Sequence, residues 1–191
     1  MSLDDIMKNV PFKKININHR SVYYKDGMEY MEVRAKLLTD KAFSPFGTII
    51  GLPKTKPNAS TPALDYWDEV IHLPIEDRAA SFLLCKRNPF EFSSMERHVK
   101  TSEIFIPLEG YSIFPFAPPN RLGDSKAKPD VNKLEAFIFD GTQAIMMHKG
   151  TWHVPPIPLT EQATFLVIFG KNTAKEDIAN SELENKVRIS L

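Results

Sequence analysis

Short apolar runs separated by polar turns dominate the hydrophobic pattern of this chain. Eight runs have the length of a β-strand, and each is bounded by Pro, Gly, Asp or Asn. They cover residues 33–38, 47–52, 81–86, 103–108, 111–116, 134–139, 144–148 and 164–169. So many short strands predict an all-β domain that closes as a barrel or stacks as a sandwich.

The strongest turn signal lies between two of these runs. An Asp-Gly pair at 140–141 separates residues 134–139 from residues 142–148. Asp-Gly is favoured in two-residue turns between antiparallel strands, so we predict a β-hairpin here. Its second strand would deliver His148 towards a further turn at Gly150.

Helical signals are confined to two stretches. Thr39 can cap one or two helical turns that end ahead of Pro45. Residues 173–185 combine a capping residue with many good helix formers, which predicts a C-terminal helix. The proline-containing residues 54–63 and 115–129 predict exposed loops, and such loops at the mouth of a barrel often shape ligand entry.

Composition narrows the class of protein without changing the predicted fold. A chain of 191 residues can bury one good core, and its 15 prolines, 8 glycines and 13 phenylalanines suit short strands joined by rigid turns. The 24 basic and 24 acidic side chains cancel, whereas binding to nucleic acid favours a basic surface. We therefore expect no nucleic-acid partner.

Signals of a membrane or secreted protein are also missing from the sequence. No apolar run approaches the ~18 residues of a membrane span, and the first residues are acidic, unlike those of a signal peptide. The single cysteine, Cys85, cannot form an internal disulfide, and its apolar surroundings predict a buried, inert thiol. We expect a cytoplasmic protein with no membrane partner.

Two imidazoles and two carboxylates stand at spacings that a small barrel can bring to one point. Glu96 and His98 are two residues apart and share a strand face, because side chains alternate with period two. Glu103 follows after a short polar turn, and His153 comes three residues after the turn at Gly150. We refer to Glu96, His98, Glu103 and His153 as the Glu/His cluster.

The Glu/His cluster has two chemical interpretations. Neutral imidazoles and carboxylates are good ligands for one divalent ion, such as nickel, manganese, iron or zinc, and would leave positions open for a substrate. Alternatively, an internal ion pair and backbone hydrogen bonds satisfy the same groups without a metal. The spacing leaves both interpretations open, and neither includes an organic cofactor.

Residues beside the cluster have less specific roles. Arg97 alternates to the face opposite Glu96, which predicts a surface or interface charge more than a substrate clamp. Lys149 lies in the turn before His153, where its ammonium either reaches a substrate carboxylate or stays solvated. Trp152 is predicted to fill the core, with a place in the pocket wall as the alternative.

Four ordered blocks carry a resemblance to a known family. The blocks are residues 42–50, 95–108, 128–144 and 150–155, and they include Met95-Glu-Arg-His98 and Gly150-Thr-Trp-His153. Together they resemble the ureidoglycolate lyase family of allantoin degradation, also called ureidoglycolate hydrolase, in the cupin superfamily. Glu103 stands where this family commonly has Gln, and Val154 stands where a second His often follows Trp-His.

The resemblance implies a fold, a partner state and a reaction. The fold is a cupin-type double-stranded β-helix barrel, and the expected partners are a second copy, in a homodimer, and a small-molecule substrate. The reaction splits ureidoglycolate, or a related 2-hydroxy or 2-oxo acid, which for ureidoglycolate gives glyoxylate and urea.

The resemblance also sets the expected domain boundary. It covers residues 31–170, so we expect residues 31–191 to form one barrel domain and residues 1–30 to form an extension of unknown role. Within the extension, residues 12–17 and 22–24 either pair as a hairpin or lie across a partner subunit.

The implied reaction assigns candidate roles. A base must take the carbinol proton, an acid must protonate the departing ureido nitrogen, and a positive charge must hold the substrate carboxylate. The expected metal ligands are Glu96, His98, Glu103 and His153. The expected catalytic residues are His98, Glu103, His148, Lys149 and His153.

Two other classes of function stay open at this point. A cupin enzyme of other chemistry, such as an oxygenase or an isomerase, would keep the scaffold and the metal. A noncatalytic sensor of a small oxo-acid would bind its ligand without turnover. Fold alone does not choose among these functions.

Overall fold

A computed structural model of the protein describes residues 20–25 and 28–191, which are almost entirely strands and loops. The strands are β1 Arg20–Lys25, β2 Met28–Leu37, β3 Gly47–Ile50, β4 Ala59–Ser60, β5 Asp65–Tyr66, β6 Arg78–Lys86, β7 Glu91–Arg97, β8 Glu103–Glu109, β9 Ser112–Ala117, β10 Glu135–Phe139, β11 Ala144–Met147, β12 Trp152–His153, β13 Ile157–Pro158, β14 Gln162–Gly170 and β15 Ala179–Ser190. The helices are α1 Asp40–Phe43 and α2 Thr173–Glu176, and residues Val131–Lys133 form a 3-10 turn. None of the helices in this described part of the chain is long enough to cross a bilayer.

The strands form two main sheets. The first, which we call the barrel sheet, has the order β1-β2-β10-β9-β12-β7-β15, with β13 beside β9. Strand β15 pairs with β7 on one side and with β2 on the other, so this sheet closes on itself. The second, which we call the five-stranded sheet, has the order β3-β11-β8-β14-β6.

Each face of the barrel sheet is covered by its own apolar core. The first core takes residues from every strand of the closed path and lies inside the barrel: Val33, Ala35, Phe92, Met95, Ile113, Ala117, Ala136, Ile138, Trp152, Val187 and Ile189. The second joins the barrel sheet to the five-stranded sheet and is rich in phenylalanine. Strand β9 serves both, because Ile113 points into the barrel and Phe114 points out.

Aromatic contacts hold the second core together. The ring of Phe114, from β9, meets the ring of Phe105, from β8, edge-on at a centroid distance of 4.8 Å. Phe137 in β10 packs edge-on against Phe43 of α1 at 5.6 Å. Such edge-to-face pairs add to the free energy gained by burying the rings, so these contacts dock the five-stranded sheet and α1 onto the barrel.

The predicted all-β barrel and the eight predicted strands are confirmed. Each apolar run corresponds to one strand, among β2, β3, β6, β8, β9, β10, β11 and β14. The predicted N-terminal cap is also present, since the hydroxyl of Thr39 accepts a hydrogen bond from the amide of Ala42 at 3.4 Å. Residues 22–24 lie in β1, which pairs with β2, whereas residues 12–17 lie outside the described part of the chain.

The predicted hairpin over residues 134–148 is wrong. Strand β10 pairs with β2 and β9, whereas β11 pairs with β3 and β8 in the other sheet. The turn itself exists, because Gly141 has φ +85° and the carboxylate of Asp140 accepts from the amide of Thr142 at 3.0 Å. It carries the chain from one sheet to the other, which a local turn signal cannot distinguish from a hairpin.

The predicted C-terminal helix over residues 173–185 is also wrong. Only one helical turn forms, and the chain then continues as β15. Ser181, Val187 and Ile189 are buried at alternate positions along this strand, with one irregularity between Glu182 and Val187. Pairing with two strands and burial inside the barrel outweigh the local helix propensity.

Gly110 offers a test of the turn that joins β8 to β9. It has φ +83°, and a β-carbon there would lie 2.3 Å from the carbonyl oxygen of Gln162. We expect Gly110→Ala to lower the free energy of unfolding by about 2 kcal/mol or more, measured by urea denaturation. Gly123→Ala is the matched control, since a β-carbon there meets no atom within 4 Å. Equal stability of the two variants would contradict the proposed steric conflict.

Candidate active site and metal centre

The structure brings the four side chains of the Glu/His cluster together between the two sheets. Strand β12 pairs with β7 so that His153 lies opposite Glu96. The Nε2 atom of His153 is 3.4 Å from Oε1 of Glu96 and 3.5 Å from Oε2 of Glu103. The Nε2 atom of His98 is also 3.5 Å from that oxygen of Glu103. Two segments that are some fifty residues apart in sequence therefore meet at one point.

Backbone carbonyls fix the orientation of both imidazoles. The Nδ1 atom of His153 lies 3.1 Å from the carbonyl oxygen of Thr151, and that of His98 contacts the carbonyl oxygen of Asp177. A carbonyl oxygen only accepts hydrogen bonds, so each Nδ1 carries a proton and donates it. In the neutral rings, Nε2 then presents a lone pair to the carboxylates.

Burial and mutual contact change the proton affinity of the carboxylates. Burial raises the pKa of Glu103, although the two nearby imidazoles oppose the shift. The pKa of Glu96 is lowered, because its hydrogen-bonding contact with His153 outweighs its partial burial. Burial disfavours the imidazolium of His153, but the contact with Glu96 and the charges of both carboxylates outweigh burial and raise its pKa. Glu103 and His153 therefore hold a proton more tightly than usual, whereas Glu96 holds one less tightly.

The donor atoms fit a divalent ion. Ligand atoms of Glu96, His98 and His153 all lie within 4.8 Å of one another. Ligands about 2.1 Å from a tetrahedral ion lie about 3.4 Å apart, close to the 3.4–3.5 Å contacts of the cluster. Moreover, Oε2 of Glu103 is buried without a hydrogen-bond partner, and lone pairs of two imidazoles face carboxylates. A cation among these atoms would remove both penalties.

The cluster lies at the base of a cavity of about 230 Å³ with mostly apolar walls. The apolar lining residues are Phe82, Leu83, Phe105, Pro155, Val167, Phe169, Ala174 and Ile178. Among the described residues that line this cavity there is no Lys or Arg. Few convergent polar groups in an apolar pocket are typical of a site for a small molecule.

The sequence predicts His148 and Lys149 as catalytic residues, but the fold does not bring them to the Glu/His cluster. The exposed His148 ring places Nε2 at 3.3 Å from the carbonyl oxygen of Ser44. Lys149 is exposed as well and lines a separate cleft, beside Lys100 and Lys171. Both side chains therefore lie apart from the cavity that holds the two imidazoles.

The prediction that Arg97 is a surface or interface charge is wrong. Its side chain does lie on the face opposite Glu96, but that face is buried and Arg97 is only 1% exposed. Its guanidinium donates to the carbonyl oxygens of Asn120 and Asp124 at 2.6 and 2.7 Å and stacks 4.5 Å above Trp152. Arg97 therefore fixes the 118–128 loop over one end of the barrel.

Trp152 and Cys85 have the roles that the sequence predicts. Trp152 is buried in the barrel core, where its indole donates to the side chain of Asn120 at 3.0 Å. Cys85 is buried in β6, and burial raises the pKa of its thiol to about 11. A neutral thiol at physiological pH is a poor nucleophile, which agrees with the inert thiol that the sequence predicts.

Sequence reasoning missed the backbone supports of the cluster. Thr151 and Asp177 hold the two imidazoles through their carbonyl oxygens, and no side-chain pattern marks a residue that acts through its backbone. Asp177 was hidden in addition by the predicted C-terminal helix. Ala174 and Ile178 lie in the same segment and line the cavity, and the predicted helix concealed their position too.

A family model and the relatives found by sequence agree on one family. A family model described as ureidoglycolate lyase matches residues 30–190. A ureidoglycolate lyase of Pseudomonas savastanoi pv. phaseolicola is 29% identical over 157 residues, covering 76% of this chain and 89% of the relative. One from Pseudomonas fluorescens is 32% identical over 138 residues, covering 69% and 80%. A TDP-quinovose 3,4-ketoisomerase structure from Campylobacter jejuni has a TM-score of 0.45 at 14% identity, covering 69% of this chain and 90% of its own.

Metal affinity tests the geometry of the cluster directly. We expect chelator-treated protein to bind one Zn²⁺ per chain. His98→Ala or His153→Ala should weaken that binding at least a hundredfold, because the loss of even an outer-shell partner lowers metal affinity about 10- to 100-fold. Isothermal titration calorimetry measures both affinities. His72→Ala is the control, since His72 is exposed and lies outside the cavity lining. Equal zinc affinity in all three variants would contradict the assignment.

Proposed function

Because the chain belongs to the ureidoglycolate lyase family, we propose that it splits ureidoglycolate into glyoxylate and urea. One observation carries this proposal beyond family membership. The four residues of the Glu/His cluster meet within 3.4–3.5 Å contacts at the base of a cavity sized for a small molecule. Family membership favours this lyase over the oxygenase, isomerase and sensor alternatives.

Charge balance makes a divalent ion part of the proposal. In the deprotonated forms that bind a metal, two carboxylates and two neutral imidazoles carry two negative charges, and the substrate brings a third in its own carboxylate. Among the described residues that line the cavity, no Lys or Arg offsets them. We therefore assign Glu96, His98 and His153 as the residues that would hold one divalent ion, a set that suits nickel, manganese, iron or zinc.

The ion would act as a Lewis acid that offsets the substrate carboxylate and lowers the pKa of the carbinol hydroxyl. The reaction needs no organic cofactor, because the carbon that becomes the aldehyde is already at that oxidation level. What the protein must add is a group that moves one proton over a short distance.

Glu103 is our candidate for that proton transfer. Its buried Oε2 has no hydrogen-bond partner, and burial raises the pKa of this carboxyl, which favours proton uptake. The carboxylate takes the proton from the carbinol hydroxyl and leaves an alkoxide. The carbon–nitrogen bond breaks as the carbonyl of glyoxylate forms, and the same proton passes to the departing ureido nitrogen, so that urea leaves neutral and no net proton is consumed.

The reaction itself is the first test. We expect the metal-loaded protein to release equal amounts of urea and glyoxylate from ureidoglycolate, and chelator to abolish the release. His153→Ala should lower kcat/KM at least a thousandfold, because it removes one proposed metal ligand and one ionisable side chain of the Glu/His cluster. His72→Ala is the control, and His148→Ala should also keep activity, given its place outside the cavity. Absence of urea from fully loaded wild-type protein would rule out the proposed reaction.

Glu103→Gln separates proton transfer from metal binding. If Glu103 moves the proton, the variant should bind Zn²⁺ with nearly unchanged affinity while kcat falls roughly 100- to 10,000-fold, the usual contribution of a general base. If Glu103 is instead a fourth ligand, zinc affinity falls first and added metal restores turnover. Calorimetry together with an assay at saturating metal measures both quantities.

We also propose that the protein is a cytoplasmic homodimer that pairs through the outer face of its five-stranded sheet. Phe82 and Leu84 of β6 are 76% and 51% exposed, and Leu108 of β8 is 53% exposed. Leu166 of β14 lies opposite Phe82, and Ile168 lies two residues further along, so the centre of this face is apolar and uncharged. A second copy suits such a face, because two uncharged surfaces meet across a two-fold axis without repulsion.

Charge introduced on this face tests the dimer. Leu84→Glu would place two like charges near each other in a symmetric contact, so we expect the variant to run as a monomer in size-exclusion chromatography with light scattering. Leu64→Glu is the matched control, since Leu64 is equally apolar and 55% exposed but lies outside the five-stranded sheet. A monomeric wild-type protein would contradict the proposed dimer.

A further inference from the structure

His98 is the one imidazole of the cluster that does not belong to a strand. Strand β7 ends at Arg97, and β8 begins at Glu103, so His98 opens a five-residue loop between them. His153, by comparison, lies in β12 and pairs with strands on both sides. A metal ligand on a loop needs support from elsewhere in the fold, because ligand geometry must be held closely for tight binding.

Asp177 supplies that support at three points. Its backbone carbonyl oxygen contacts Nδ1 of His98. Its carboxylate accepts hydrogen bonds from the amides of the next two residues, at 3.0 Å from Val99 and 2.8 Å from Lys100. Asp177 therefore holds both the ring of His98 and the backbone that follows it.

Asp177 is itself held firmly. Its side chain is buried, and its amide donates to the carbonyl oxygen of Thr173 at 3.0 Å, which closes the single turn of α2. The ammonium of Lys100 adds a second link by donating to the carbonyl oxygen of Glu176 at 3.1 Å. The 98–101 loop and the α2 segment thus form one hydrogen-bonded unit.

We infer that Asp177 is the positioning residue of the metal centre: it fixes His98 in the tautomer with the proton on Nδ1 and aims Nε2 at the ion. The carboxylate satisfies two loop amides that would otherwise need water, which keeps the carbonyl of Asp177 within reach of the ring. The inference rests on the proposed metal centre and does not depend on which substrate the cavity takes.

This placement also couples the ion to the cavity wall. Ala174 and Ile178, on either side of Asp177, line the cavity that the cluster opens into. Movement of this segment would shift the wall and His98 together. Asp177 therefore sets the metal geometry and the width of the cavity through the same contacts.

The tautomer of His98 gives a readout that a merely stabilising residue would not change. Long-range ¹⁵N–¹H correlation spectra of metal-free protein at mildly alkaline pH report which ring nitrogen carries the proton. In wild-type protein we expect the Nδ1-protonated form for both imidazoles. In Asp177→Ala we expect His98 to shift towards the Nε2-protonated form, while His153, held by Thr151, keeps its signal.

Zinc affinity of the same variants gives the second readout. Asp177→Ala should weaken Zn²⁺ binding about 10- to 100-fold, the usual cost of losing an outer-shell partner, and Asp177→Asn, which keeps one acceptor oxygen, should fall between it and wild type. Asp140→Ala is the matched control, because the Asp140 carboxylate also accepts two hydrogen bonds, both from Thr142, at a distant turn. It should change neither zinc affinity nor the His98 tautomer.

The outcomes separate this inference from the proposed reaction. An unchanged His98 signal and unchanged zinc affinity in folded Asp177→Ala would overturn the positioning role, whether or not wild-type protein releases urea. Should Asp177→Ala fail to fold, the same two measurements on the nearly isosteric Asp177→Asn decide in its place. Weakened zinc binding with a shifted tautomer would support the role even if ureidoglycolate proves to be no substrate.

Discussion

The register between β12 and β7 is the constraint on which the candidate site depends. It sets His153 opposite Glu96 and turns both side chains towards the space between the sheets, while Trp152 and Arg97 turn the other way into buried packing. A slip of one residue in this register would turn Glu96 or His153 into the barrel core and its neighbour Arg97 or Trp152 towards the space between the sheets. The stacking of Arg97 on Trp152 therefore opposes any slip that would dismantle the cluster.

Strand β15 links this register to the rest of the fold. It pairs with β7 beside the cluster and with β2 on the far side, so it closes the barrel and stabilises the strand that carries Glu96. The α2 segment that precedes it holds the 98–101 loop through Asp177. The end of the chain thus supports both the barrel and the loop that presents His98.

The features that sequence predicts well are those decided by neighbouring residues. Local periodicity predicts the apolar runs and the common direction of Glu96 and His98. Capping preference predicts the Thr39 cap. Residue spacing together with the family resemblance predicts which side chains form the cluster. The misjudged features depend on long-range pairing: the crossing after Asp140, the strand that replaces the C-terminal helix and the burial of Arg97.

Electrostatics explains why a site of this composition is stable in so apolar a cavity. Buried charge is costly unless it is compensated, and here the contact between His153 and Glu96 raises the pKa of one partner and lowers that of the other, which favours the ion pair. Glu103 lies 3.5 Å from both imidazoles, but its burial outweighs their charges and raises its pKa. A divalent ion would balance both carboxylates at once and free both imidazoles as neutral ligands. The ion would also offset the substrate carboxylate, because the described residues that line the cavity include no Lys or Arg.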